Sequence, residues 1–154
     1  METGVMENLL EFYKKSMRLE EIDARTYSPL VLAYIGDAVY EVMVRTKVIN
    51  GGSIQVNKLH KHSSRLVCAK AQADMVKLLE EELTEEERAV FKRGRNAKSV
   101  TTAKNASVVD YRWATGFEAL LGWLFLSEQF ERLIQLVSHG LEKIGEFDQC
   151  DTKN

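Results

Sequence analysis

At 154 residues, 45% hydrophobic and 29% charged, the chain has the size and composition of one globular domain with a real core, not of a disordered or fibrous protein. Its net charge of −2 excludes a surface coated in positive charge, but the average hides local blocks: six glutamates between Glu80 and Glu87, then no acid from residue 88 to 104. No apolar run approaches the ~20 residues of a bilayer-spanning helix, Met1-Glu2-Thr3-Gly4 lacks the basic and apolar regions of a secretory signal, and Cys68 and Cys150 match no metal-ligand or disulfide framework, so the expectation is a cytoplasmic protein with no membrane partner.

The pattern predicts helix almost throughout, with no alternating strand pairs and no hairpin signal. A first helix is expected from about Val5 to Arg18, with Leu9, Leu10, Phe12 and Tyr13 on its apolar side. Ser28-Pro29 reads as an N-cap followed by proline at the first helical position. The helix that follows should reach about Lys47 and is apolar over most of its surface, as befits a core or an oligomer contact. After Gly51-Gly52-Ser53, a short helix from Ile54 to about Lys61 and a longer one beginning at Ser63-Ser64 are expected. Thr84 and Glu87 form a capping box for a helix ending near Arg93-Gly94, and Asn96 to Lys104 reads as a basic loop. Hydrophobic helices are then predicted over about Ser107–Leu126 and Glu128–Ile144. The whole, residues 1–154, is one all-α helical bundle with its core over about 20–144 and a polar tail, 145–154, expected to fray.

Two acids stand in otherwise apolar runs: Asp37, in Tyr34-Ile35-Gly36-Asp37-Ala38-Val39-Tyr40-Glu41, and Glu118, in Gly116-Phe117-Glu118-Ala119-Leu120-Leu121-Gly122. Burying a charge without a partner is costly. Each acid has an ordinary explanation in an ion pair, Asp37 with Arg45 and Glu118 with Arg112. A buried ion pair scarcely repays its desolvation. A shared divalent cation compensates better, because Mg²⁺ takes one or two carboxylates and completes its octahedron with water and phosphate oxygens. Gly36, beside Asp37, leaves room for a close helix or ligand. On a helix Ala33, Asp37 and Glu41 share a face.

These segments carry a resemblance. Tyr34 to Glu41 is similar to the signature of the ribonuclease III family, and Phe117-Glu118-Ala119-Leu120-Leu121-Gly122 is similar to that family's second motif. Together with Leu59-His60-Lys61-His62-Ser63-Ser64-Arg65, Ala69-Lys70-Ala71-Gln72-Ala73 and Lys92-Arg93-Gly94-Arg95-Asn96-Ala97-Lys98-Ser99, they resemble its compact branch, Mini-ribonuclease III, over about residues 20 to 140. Where longer members carry a glutamate four residues before the signature aspartate, this chain has Ala33. Where they carry an aspartate three before the later glutamate, it has Thr115. Four acids become two, which implies fewer protein ligands and more water around the ion. The expectation is a catalytic domain that holds its duplex alone, without the double-stranded RNA-binding domain of the longer members.

The resemblance implies a homodimeric, Mg²⁺-dependent endoribonuclease, with Mn²⁺ as a substitute, that cuts double-stranded RNA to leave a 5′-phosphate and matures the 23S ribosomal RNA precursor. Asp37 and Glu118 would be its catalytic and metal-holding residues, with Glu41 and Thr115 as candidates to act one layer out. RNA duplexes are recognised mostly by shape and by backbone contacts. Donors for that task are expected at Arg93, Arg95, Asn96, Lys98, Ser99, Thr101 and Lys104, and at Lys58, His60, His62, Arg65 and Lys70. Gln72 reads as a satisfied polar group in the core, and Trp113 and Trp123 as core or dimer-contact residues. The sequence leaves open whether a ribosomal protein assists. Its rival is a non-catalytic RNA-binding or assembly protein on the same scaffold; a helical nucleotide hydrolase is a third reading.

Overall fold

The structure, a computed structural model, describes residues 3–52, 55–98 and 107–147. Among these residues there are seven α-helices and no strand, so the all-α expectation holds. The helices are α1 (Thr3–Ser16), α2 (Pro29–Asn50), α3 (Val56–Val67), α4 (Ala69–Leu79), α5 (Glu85–Asn96), α6 (Val108–Leu126) and α7 (Phe130–Lys143), with single 3-10 turns at Ala24–Thr26 and Glu80–Glu82. None of them is long and apolar enough to cross a membrane.

Helix α6 is the axis. Ala114, Gly116, Phe117 and every residue from Ala119 to Leu124 are buried, and α2, α4, α5 and α7 all pack on it. A helix apolar on every side has to be enclosed in this way. Around it Leu32, Tyr40, Met75, Leu79, Phe91 and Leu136 are fully buried, and Tyr40 meets Phe117 edge-on at 5.9 Å. The tightest contact is α2 on α6. A methyl group on Gly36 would overlap the Glu118 carbonyl, and one on Gly122 would overlap the Leu32 carbonyl. Only glycine lets the two backbones touch there.

Local chemistry sets most of the boundaries. The Ser28 hydroxyl accepts from the Val31 N–H at 3.3 Å with Pro29 behind it. Ser107 accepts from the Asp110 N–H at 3.0 Å. Thr84 and Glu87 exchange both bonds of the capping box, at 3.1 and 2.9 Å. Glu87 then turns inward, 3% exposed, to an ion pair with Arg132 of α7 at 2.8 Å.

The expectations fail where long-range packing decides. The helix break falls at Cys68, not between Lys61 and Ser63, because α3 runs on to Val67 and α4 starts one residue later. Helix α7 begins at Phe130 rather than Glu128, since Glu128 takes a left-handed conformation (φ 64°) and pairs with Lys14. Leu9, Phe12 and Tyr13 of α1 are exposed rather than packed. The polar tail does not start by fraying: Glu146 pairs with His62, and Phe147 packs on the core beneath Lys47, whose ammonium stands 4.7 Å from its ring.

Candidate active site

The contact of α2 with α6 brings the two acids together. Asp37 follows Gly36 directly and is exposed, while Glu118, whose own carbonyl Gly36 touches, is half-buried. Burial, and then the Asp37 charge, push the Glu118 carboxyl up to about 8. Asp37 is raised as well, first by partial loss of solvent and then by Glu41. The Asp37 charge raises the proton affinity of Glu118, so the two carboxylates share one neighbourhood.

Neither ordinary explanation holds. Arg45 pairs with Glu41, Nε to Oε1 at 3.1 Å, and not with Asp37. Among the described residues no ion pair includes Asp37 or Glu118, and no group of three His, Cys, Asp or Glu side chains is arranged to hold a metal. The polar neighbour that favours the ionised form of Glu118 is Gln72 of α4. Gln72 is 1% exposed. Its Nε2 donates to the Val67 carbonyl at 2.8 Å, but its Oε1 has no partner. The satisfied core amide expected from sequence is therefore only half satisfied.

The two carboxylates are hard oxygen donors, which suit Mg²⁺ or Mn²⁺ and not a metal that prefers thiolate. Thr115, three residues before Glu118, gives its hydroxyl proton to the Tyr111 carbonyl at 2.9 Å. Glu41 lies one turn after Asp37, where its charge reaches Asp37 while Arg45 holds it.

The expected RNA donors divide into three groups. Gly94 of α5 lies against Gly116 and Ala119, so the end of α5 presents exposed Arg93 and Asn96 about one turn of α6 from Glu118, with exposed Lys98 just beyond. Arg95 is half-buried, its guanidinium 5.7 Å from the Phe91 ring and 5.5 Å from the Trp113 ring. At the other end Lys58, His60 and Arg65 of α3 are exposed, as is Lys70, which pairs with Asp74 at 2.9 Å. His62 is corrected: it is half-buried and committed to Glu146, so it is not a free donor for RNA. Ser99, Thr101 and Lys104 lie outside the described residues. Trp123 is core, 4% exposed, and Trp113 packs on Phe91 at 5.2 Å.

Residues 30–129 match the family described as the ribonuclease III domain. The chain is 47% identical over 129 residues to a Mini-ribonuclease 3 of Enterococcus faecalis, covering 82% of this chain and 98% of that one. It is 50% identical over 123 residues to a Mini-ribonuclease 3 of Brevibacillus brevis, covering 79% and 92%. A crystal structure of a protein from Fusobacterium nucleatum superimposes with a TM-score of 0.72 at 30% identity, over 80% of this chain and 98% of that one.

Proposed function

Because this chain belongs to the ribonuclease III family, we propose that its Asp37 and Glu118 together hold one divalent cation, Mg²⁺ with Mn²⁺ as its substitute, at the scissile phosphate of double-stranded RNA. The family supplies the activity, endoribonuclease, and the class of substrate; the residue roles are our reading. The observation that carries them is the pair of acids on touching helices, one raised to about 8 and neither matched by a basic side chain among the described residues. When bound, the cation activates water and stabilises charge developing at phosphorus. The chain's part is to keep Glu118 half-buried and oriented, to hold Asp37 beside it through the Gly36 contact, and to keep Arg45 on Glu41 and away from the site. Arg93, Asn96 and Lys98 at one end, and Lys58, His60, Arg65 and Lys70 at the other, would grip the duplex backbone.

The active form in this reading is a homodimer. Val31, Tyr34, Ala38, Val42 and Ile49 fall on one face of α2, and Tyr34 is 83% and Val42 65% exposed. That face borders an apolar groove lined by Val39, Met43, Phe125, Leu133 and Ile134. Continuous apolar surface of this kind is what an isologous two-fold contact uses. A dimer gives one centre per strand, each cut leaving a 5′-phosphate and a 3′-hydroxyl. The substrate we favour is the 23S ribosomal RNA precursor, with help from a ribosomal protein an open arm of the test.

A gel assay tests the reading: structured duplex RNA, including a 23S precursor end, with and without Mg²⁺ and with and without ribosomal proteins. Wild type should cut only with the metal. Asp37→Asn should lower the rate at least a hundredfold while still binding the duplex. Full turnover by that variant would remove Asp37 from the reaction, and no cut by wild type under any condition would favour a scaffold without catalysis.

A further inference from the structure

Arg45, Arg132 and Lys70 are each ordered by a carboxylate, of Glu41, Glu87 and Asp74 in turn. Arg95 is ordered by rings. Phe91 and Arg95 stand four apart on α5 and share a face, and Trp113 of α6 meets that face. The guanidinium lies 5.7 Å from the Phe91 ring and 5.5 Å from the Trp113 ring. Its Nε donates to the side-chain oxygen of neighbouring Asn96 at 3.4 Å, and among the described residues no carboxylate pairs with it.

The rings are themselves fixed. Phe91 is fully buried and presses on Gly116, where a methyl group would come within 2.7 Å of its ring edge. Trp113 packs on Phe91 at 5.2 Å, tilted by 56°. On α6, Trp113 precedes Glu118 by five residues, about 7.5 Å along the helix axis. The helix that carries Glu118 therefore also sets where the Arg95 guanidinium stands. A second cation, Lys77 of α4, lies 5.4 Å from the Trp113 ring, but its charge is answered by Asp110 at 3.9 Å. Of the two cations on that ring, Arg95 is the one whose charge no acid answers. The end of α5 favours a cation through its dipole, but that preference asks for no ring. A guanidinium held on aromatic faces keeps its N–H edge for an oxyanion, and little rotamer freedom is left to lose on binding.

We propose that Trp113 is a positioning residue for duplex RNA: with Phe91 it holds the Arg95 guanidinium in place for one backbone phosphate beside the Glu118 site. The inference rests on the reading of the end of α5 as part of the RNA surface. Trp113 acts through Arg95 and touches no reacting atom.

The test is the Kd of the metal-free protein for a fluorescein-labelled RNA duplex, followed by anisotropy across a salt series, beside kcat and KM with Mg²⁺. Trp113→Leu should weaken binding about fivefold at low salt and flatten the slope of log K against log salt by about one contact. Its KM should rise with kcat unchanged. Arg95→Ala should show the same losses, and Trp113→Phe, which keeps a ring beside the guanidinium, should lose less. In an Arg95→Ala background Trp113→Leu should cost nothing further. A wild-type Kd and slope in folded Trp113→Leu, an equal loss in Trp113→Phe, or a full additional loss in the Arg95→Ala background would overturn the proposal. Arginine-selective nitrogen-15 NMR of the wild type asks the same question without a variant that could unfold. The Arg95 Nε–H resonance should be shifted by the rings in the free protein and move when duplex is added; a resonance that stays put would also overturn it. If wild type binds no duplex, the RNA reading of the end of α5 is itself wrong. If wild type binds, and Arg93→Glu weakens it while Arg95→Ala and Trp113→Leu do not, only the role of Trp113 and Arg95 falls.

Discussion

Glu118 sets the chemistry at the scale of single residues. A carboxyl raised from 4.5 to about 8 keeps its proton in the folded chain at pH values where the unfolded chain has released it. The stability this gives is full below about 4.5 and is lost as pH rises through about 8. Glu87 has the opposite sign. Burial would raise it, but Arg132 and the Thr84 N–H hold it below its ordinary value, so its contribution is present above about 4.5 and fades in acid. The two windows do not overlap. Metal-free wild type should therefore lose several degrees of melting temperature between pH 5 and pH 8, and Glu118→Gln should lose markedly less over the same range. Parallel curves for the two proteins would mean that Glu118 is an ordinary solvated acid.

Elements place the residues, and how well they could be read from the chain depended on distance. The Ser28-Pro29 start, the Ser107 cap and the Thr84–Glu87 box were legible because each rests on bonds spanning three residues. The two acids were legible because each stood beside glycine in an apolar run. The break at Cys68 and the Glu146–His62 pair were not, because they depend on segments that meet only after folding; the latter joins positions 84 residues apart. Helix α5 shows what placement does for function. Its capping box fixes one end, Gly94 presses the other on α6, and Arg93 is left exposed near Glu118. Arg93→Glu should weaken duplex binding several-fold at low salt and flatten the slope of log K against log salt by about one contact. Unchanged binding and slope would move the RNA surface elsewhere.

The whole molecule is organised by what α6 buries and what α2 leaves uncovered. One side of α2 closes the core against α6, while the other carries Val31, Tyr34 and Val42 into solvent beside an apolar groove. Val42→Glu places a charge on that face without touching the core, and should convert a dimer to a folded monomer in sedimentation velocity with its helical signal intact. A wild-type protein that sediments as a monomer at micromolar concentration would contradict the dimer outright.

The central claim is that two acids eighty-one positions apart in the chain form one cation site, and the direct measurement is the titration of the Glu118 carboxyl by carbon-13 NMR. Without metal it should titrate near 8. Asp37→Asn should lower that value, because the Asp37 charge is one of its causes, and saturating Mg²⁺ should lower it further, because a bound cation favours the carboxylate. A Glu118 that titrates near 4.5, and responds neither to loss of Asp37 nor to Mg²⁺, would show that the two side chains do not share an ion.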